Sequence, residues 1–176
     1  MRSRLWVLLL ILALSSTAAA QIRNLELFGG YSLEGAVAPD NRISTYHGWN
    51  ASTALPIWKR FSITADFGGH YGNPTEVVNL RMHTFLFGPQ YRLRRGRLSP
   101  YVHGLLGVSR QSADAGGPAY TENSFALAVG GGLDLRMSRG VSIRFVQVDY
   151  LRRSCFGVSP DNLRFSFGVI YKLGRE

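Results

Sequence analysis

The sequence predicts an all-β fold: an eight-stranded antiparallel up-and-down transmembrane β-barrel, preceded by a signal peptide that is cleaved. Three features of the chain lead to this prediction. The N-terminus has the parts of a secretory signal, later segments alternate apolar and polar side chains, and the links between these segments alternate in length. An alternation with a period of two is typical of strands that have one apolar and one polar face.

The N-terminal segment predicts export from the cytoplasm. Arg2 and Arg4 give it a positive charge, ten apolar residues follow, and a run of small residues ends at Ala20. This order matches a secretory signal, and the apolar run is shorter than the ~20 residues that a membrane-spanning helix needs. We therefore expect cleavage after Ala20, so that residues 1–20 are the signal peptide and residues 21–176 form one domain.

The charge and cysteine content narrow the possible partners. The formal net charge of +9 falls to +7 when Arg2 and Arg4 leave with the signal. Because the basic residues are spread over predicted strands and turns, the sequence favours an anionic lipid or lipopolysaccharide surface over nucleic acid as the partner. Cys155 is the single cysteine, so the fold has no internal disulfide.

The first three predicted strands keep one apolar face over their whole length. They span residues 24–35, 44–55 and 61–72. In the third, apolar residues alternate with polar or small ones from Phe61 to Phe67, which makes it the clearest two-faced strand in this part of the chain.

The fourth and fifth predicted strands are less regular. The fourth, residues 80–93, contains Pro89, which lacks a backbone donor and is expected at a bulge or near the end of the strand. In the fifth, residues 100–111, either of the adjacent Leu105 and Leu106 could lie on the apolar face, so the sequence does not decide which side of this strand is apolar.

The last three predicted strands complete the set. Residues 124–137 and 141–150 are joined by a tight turn. The alternation of the second of these strands slips at Phe145 and Val146, and a bulge is one explanation because one extra residue exchanges the two faces. Residues 162–174 then alternate apolar and polar side chains almost without a break.

Short links separate strands two and three, four and five, and six and seven, whereas the other links are longer. Short turns at one end, long loops at the other and an even strand count are typical of outer-membrane barrels. Strands that meet lipid must close, because each unpaired edge group costs several kcal/mol there. Aromatic girdles are expected at both ends, namely Trp58, Phe61, Tyr91, Tyr101 and Tyr171 at one and Tyr46, Tyr71, Phe125, Tyr150 and Phe165 at the other.

The final strand also carries a family resemblance. Ser166, Gly168, Tyr171 and Leu173 are spaced as a polar residue, a glycine two later, and two hydrophobic positions that flank one free residue. This spacing is similar to the C-terminal assembly signal of the outer-membrane protein β-barrel domain family of OmpA/OmpX type, which the mature chain resembles along nearly its whole length. The resemblance implies recognition by the barrel assembly machinery and residence in the cell outer membrane.

The motifs favour a protein without catalytic activity, metal or other cofactor. The sequence lacks CxxC, HExxH and a phosphate-binding GxxxxGK[ST]. Its four histidines lie on four predicted strands with no metal-ligand spacing. Lipid A deacylases of similar barrel fold place His and Ser two residues apart on one strand face, and none of these histidines is followed by Ser at that distance.

Charged residues of both signs share the predicted inward faces. The interior of an eight-stranded barrel is just wide enough for side chains to fill, and buried charges must pair. We therefore predict a salt-bridge network that plugs the lumen. Its expected members are Glu26, Asp66, Asp134, Asp149, Arg92, Arg136, Arg144, Arg164 and Lys172.

One predicted turn is strongly basic, since residues 92–97 contain four arginines. Solvation of the turn is the simpler interpretation. Contact with anionic headgroups of the inner leaflet is the sharper hypothesis.

The functional hypothesis is a non-enzymatic, monomeric outer-membrane barrel that supports the cell envelope or displays its loops for surface interactions. Two alternatives stay open at this point. One is a narrow channel for ions or small solutes, and the other is a soluble lipocalin-like carrier whose apolar faces point inward.

Overall fold

The computed structural model describes residues 25–37, 43–75, 78–93, 96–114, 120–154 and 161–174. Eight antiparallel strands pair in sequence order, and β1 pairs with β8 to close the barrel, which confirms the predicted fold class. The strands are β1 Leu25–Val37, β2 Ile43–Trp58, β3 Phe61–Thr75, β4 Val78–Arg92, β5 Leu98–Asp114, β6 Tyr120–Arg136, β7 Val141–Ser154 and β8 Asp161–Leu173. The predicted signal peptide, residues 1–20 with its cleavage site at Ala20, lies outside the described residues.

The two faces of each strand differ as the alternation predicts. On β8, Phe165, Phe167 and Val169 point outward and are about half exposed, whereas Arg164 and Ser166 point inward and are buried. The same arrangement recurs around the barrel: the outer surface carries large apolar side chains, and the lumen carries polar ones. This arrangement suits a hydrocarbon exterior and an ionic interior.

No helix in the described part of the chain is both long enough and apolar enough to cross a membrane.

A bulge in β7 explains the break in its alternation. Leu133 of β6 pairs with Val146, and the next residue, Asp134, pairs with Arg144, so Phe145 has no partner on β6. Phe145 is 72% exposed. The extra residue keeps the side chains on both sides of the bulge in the lumen.

At the loop end of the barrel, where the long loops are predicted, the strands extend farther than the alternation of apolar and polar side chains indicates. β5 and β6 continue to pair up to Ala113 and Tyr120, within what the sequence predicts as the longest loop. β3 and β4 are joined by residues 76–77 alone, so the predicted alternation of link lengths is wrong. Backbone ladder bonds do not need an apolar face, and pairing therefore continues beyond the patterned segments.

Two of the predicted girdle residues point into the lumen. Tyr46 and Tyr101 are buried, whereas Trp58, Phe125 and Tyr171 are more than half exposed on the outer surface. Aromatic residues are common on either face of a strand, so their position along the strand did not determine their direction.

Candidate functional site

The lumen contains five carboxylates and five cationic side chains that form ion pairs with one another. Arg164 and Asp149 are fully buried, and Lys172, which is a quarter exposed, lies at the edge of the set. Water therefore does little to screen these charges. The members are Glu26, Glu34, Asp66, Asp134, Asp149, Arg92, Arg144, Arg153, Arg164 and Lys172.

At the turn end of the barrel, where the short turns are predicted, side chains of alternating charge form a chain across the lumen. Arg92 donates two hydrogen bonds to the carboxylate of Glu26, at 2.8 and 2.7 Å, and Lys172 Nζ lies 3.0 Å from Glu26 Oε1. Asp134 lies 3.4 Å from Arg92 and accepts a 2.9 Å hydrogen bond from Nε of Arg144. The chain joins side chains from β1, β4, β6, β7 and β8, which is possible because their inward faces meet at one level.

Arg144 is also held by aromatic and amide groups. Its guanidinium carbon lies 4.4 Å from the ring centroid of Phe28 and 4.5 Å from that of Tyr101. Arg144 Nη1 and the Tyr101 hydroxyl each donate to Oε1 of Gln147, at 2.7 and 2.8 Å. The inward tyrosine therefore belongs to the ionic network and adds a cation–π contact to it.

Arg164 occupies the centre of the network. Its Nη1 donates to Asp66 Oδ1 at 2.8 Å, while its Nε and Nη2 donate to Asp149 Oδ2 at 2.9 and 2.6 Å. Asp149 also receives hydrogen bonds from His103, at 2.7 Å, and from Gln147, at 2.7 Å. One arginine of β8 thus pairs with carboxylates from both β3 and β7, and charge-assisted bonds of this kind are strong when buried.

The loop end of the lumen holds a third group. Arg153 donates two hydrogen bonds to the carboxylate of Glu34, and Nη2–Oε2 is 2.6 Å. His70 Nδ1 lies 3.4 Å from Glu34 Oε2, and its Nε2 lies 2.9 Å from Ser32 Oγ. Ser32 Oγ is also 2.9 Å from Ser166 Oγ. These contacts complete a polar layer across β1, β3, β7 and β8.

The side chain of His70 contacts both Ser32 and Glu34, so the three groups follow one another as in a Ser–His–acid triad. The sequence did not indicate this group, because its members lie on two different strands. All three side chains are fully buried. The carboxylate of Glu34 is engaged by Arg153, and the hydroxyl of Ser32 is shared with Ser166. The contacts of these three groups with their neighbours link β1, β3 and β8 inside the lumen.

Apolar side chains fill the lumen opposite the charged groups. Leu105 is 0% exposed and Leu106 is 55% exposed, which settles the facing of β5. The apolar cluster consists of Leu86, Leu105, Ala126, Ala128 and Leu151. Ionic and apolar side chains together fill the interior, as the dimensions of an eight-stranded barrel require.

The structure brings together eight of the nine predicted network residues, and Arg136 is the exception. It keeps the inward parity of Asp134, but it is exposed because β6 ends there and leaves the lumen. Glu34 and Arg153 are members that the prediction omitted. Arg153 continues the inward series of β7 after Asp149, and this parity was the available signal although the residue fell in a predicted loop.

The residues of the predicted assembly signal lie on both faces of β8. Ser166 points into the lumen, whereas Tyr171 and Leu173 point outward. Gly168 pairs with Gly30 of β1, and a Cβ added to Gly168 would overlap the backbone of β1. Glycine is therefore required where the first and last strands meet. Recognition by the assembly machinery stays a prediction.

Among the described residues, no group of three or more His, Cys, Asp or Glu side chains is arranged to hold a metal ion. The charged side chains of the lumen are paired with one another, so the arrangement holds strands together, although Nε of Arg92 and Nε of Arg153 are buried without a hydrogen-bond partner.

The closed sheet, its apolar exterior and its ion-paired lumen define the class of the protein as an eight-stranded transmembrane β-barrel. No protein-family model and no curated protein matches the chain. Solved structures do match, and several of them are eight-stranded outer-membrane barrels.

Three of these structures illustrate the likeness. Neisserial surface protein A has a TM-score of 0.74 and 15% identity, covering 85% of this chain and 97% of that one. Ail, the attachment invasion locus protein of Yersinia pestis, has a TM-score of 0.63 and 15% identity, covering 86% and 99%. OprG from Pseudomonas aeruginosa has a TM-score of 0.61 and 13% identity, covering 87% and 97%. The chain therefore has the fold of outer-membrane eight-stranded barrels.

Proposed function

We propose that this chain is a non-enzymatic, monomeric protein of the cell outer membrane, with a plugged lumen and a structural or surface-interaction role. The observation that carries the proposal is the inversion of the barrel, whose charges are paired inside while its large apolar side chains face outward. An exterior of this kind needs lipid, and its lipid partner is phospholipid or lipopolysaccharide.

The packing of the lumen supports a plug over a steady channel. Arg164 and Arg92 reach across the interior to carboxylates of strands that are not their neighbours, Arg144 pairs with Asp134 on the adjacent strand, and an apolar cluster fills the space beside them. An ion could pass only if several of these pairs separated together, and each separation would expose a buried charge. The lipocalin-like alternative is not favoured, because an apolar ligand would meet charged groups throughout the lumen.

The surface-interaction role has a separate basis. One of the similar structures is, by its own name, an attachment invasion locus protein. The connections at the corresponding end of this chain, residues 38–42, 115–119 and 155–160, are where a barrel of this fold displays its variable segments. We assign any partner recognition to this end of the barrel.

Fractionation tests the location. Expressed with its N-terminal segment in a bacterium that has two membranes, the chain should be found in the outer-membrane fraction, require detergent for extraction and shift in gel mobility on heating. A chain that stays soluble without detergent would contradict the proposal, because its outer surface would then have to face water.

Conductance in planar bilayers tests the plug. The refolded barrel should show no steady current, whereas Asp134→Ala/Arg144→Ala should conduct, because it removes both ends of one ionic contact. A steady current through the unaltered barrel would favour the channel instead.

A further inference from the structure

The charge of this protein is divided unequally among its lumen and its two rims. The lumen contains five acids and five bases, so it contributes no net charge. Among the described residues outside the lumen, the charged side chains are eight cations and only two acids, Asp114 and Glu122. A surplus of this size on the surface points to an anionic partner.

The turn end holds much of this surplus. We define the turn rim as the five described cations at the short turns: Lys59, Arg60, Arg97, Arg136 and Arg139. All five side chains are exposed. The acids described at this end, Glu26 and Asp134, are buried and paired inside the lumen. The turn rim therefore faces its surroundings with cations alone, as far as the described residues extend.

Backbone hydrogen bonds hold the turn rim together. The amide of Arg92 donates to the carbonyl of Arg60 at 2.9 Å, and the amide of Arg136 donates to the carbonyl of Arg97 at 2.7 Å. These bonds join the turn between β2 and β3 to the end of β4, and the turn between β4 and β5 to the end of β6. The backbone at Arg60, Arg97 and Arg136 is consequently tied to the ends of neighbouring strands.

A groove beside these cations has an apolar wall. It has a volume of about 190 Å³ and is lined by Trp58, Lys59, Arg60, Phe61 and Tyr91. The rings of Phe61 and Tyr91 lie 4.8 Å apart, and Trp58 is 68% exposed. Aromatic rings next to cations are the pattern of a membrane interface, where acyl chains meet phosphates. The groove thus matches an amphiphile with an anionic head.

We propose that the turn rim binds the phosphate headgroups of anionic phospholipids, with the groove at Trp58 and Arg60 as its best-formed site. This inference rests on the proposed function, because the short turns of an outer-membrane barrel lie at the periplasmic leaflet. Each cation that contacts a headgroup contributes about a fivefold preference for an anionic over a zwitterionic lipid at low ionic strength. The rim therefore anchors the barrel at a fixed depth in that leaflet.

The loop end provides a matched control. Arg81, Arg110 and Arg152 are exposed there, but the acids Asp114 and Glu122 lie at the same end of the barrel. Replacing these three arginines changes the total charge as much as replacing three cations of the turn rim. Acids near them offset their attraction for phosphate, so their removal should matter less.

The experiment uses the refolded barrel in phosphatidylcholine vesicles that contain spin-labelled phosphatidylglycerol or spin-labelled phosphatidylcholine. Electron paramagnetic resonance gives the fraction of each lipid immobilised at the protein. Wild type should prefer phosphatidylglycerol about fivefold or more at ~20 mM salt. Lys59→Gln/Arg60→Gln/Arg136→Gln should reduce this preference by at least half, with Arg97 and Arg139 left to supply the remainder, whereas Arg81→Gln/Arg110→Gln/Arg152→Gln should keep most of it.

Equal losses in the two triple variants would overturn the assignment to the turn rim, because net charge alone would then explain the preference. Inorganic phosphate, added at constant ionic strength, should leave the preference unchanged. Its abolition would show a free-phosphate site and overturn the lipid proposal. A heat-dependent shift in gel mobility is recorded first for each variant, to show that the barrel has folded. A barrel that folds in vesicles but shows no lipid preference refutes this inference alone. A chain that never inserts into vesicles refutes the outer-membrane proposal as well.

Discussion

The inside and the outside of this barrel follow opposite rules for charge. In the lumen, Arg164 is fully buried and every one of its contacts with Asp66 and Asp149 is a charge-assisted hydrogen bond. On the outer surface, apolar side chains such as Val129 cover the middle of the strands, and cations such as Arg136 occur where the strands end. A charge is tolerated either where a partner is in contact or where water is, and the fold provides few other places.

The largest expected effect comes from removing the central cation of the lumen. Arg164→Met leaves the carboxylates of Asp66 and Asp149 buried without their partner, and we expect a loss of about 3–5 kcal/mol in the free energy of unfolding. Arg136→Met makes the same chemical change at an exposed position and should cost no more than about 0.5 kcal/mol. Urea unfolding in micelles measures both, and similar costs would contradict the buried role of Arg164.

A charge placed on the outside should have the next largest effect. Val129 is 54% exposed near the middle of the outer face of β6, and Val129→Arg should cost ~2–4 kcal/mol in a bilayer. The same change at Leu98, where β5 begins at the turn end, should cost about 0–1 kcal/mol because the side chain reaches the interface. If the two variants unfold alike in vesicles, the middle of the outer face does not touch hydrocarbon.

Added volume inside the lumen should have a smaller effect. A Cβ added at Gly130 would overlap Asp149 and the backbone of Val148, so Gly130→Ala should destabilise the barrel by about 1–3 kcal/mol. A Cβ added at Gly104 meets open space, and Gly104→Ala should change the stability by less than about 0.5 kcal/mol. The difference in unfolding free energy between these variants measures how tightly the lumen is packed there.

The smallest effect is expected for an outward polar contact. Tyr71 accepts a hydrogen bond from Trp49 at 3.4 Å and lies 3.3 Å from Nε2 of His83. Both contacts are exposed, so Tyr71→Phe should cost about 0.5 kcal/mol. Tyr171→Phe, on the same outer surface, serves as the control and should be close to neutral. A loss above ~2 kcal/mol for Tyr71→Phe would mean that the outer polar contacts matter as much as the lumen.

The local pattern was sufficient to predict the fold and most facings, because alternation with a period of two is a property of each strand by itself. It placed Glu26, Asp134 and Arg164 in the lumen for this reason. It also indicated the bulge of β7, since an extra residue leaves a visible break in the alternation at Phe145.

The alternation of apolar and polar side chains does not show how far along the barrel axis a residue lies. Arg136 has the parity of Asp134, but it is the last residue of β6 and its side chain is exposed, which parity alone does not show. Arg153 was omitted for the converse reason, because β7 continues inward beyond the last patterned residue. Contacts between distant strands, such as that of Ser32 with His70, depend on closure of the sheet and leave no trace in local spacing.

The position of Arg164 has a consequence for how the cylinder is completed. Only β8 supplies the arginine that pairs with both Asp66 and Asp149. A barrel closed without this strand would bury the two carboxylates without that cation, at a cost of several kcal/mol. We therefore expect a chain truncated before residue 161 to remain unclosed and open to proteases.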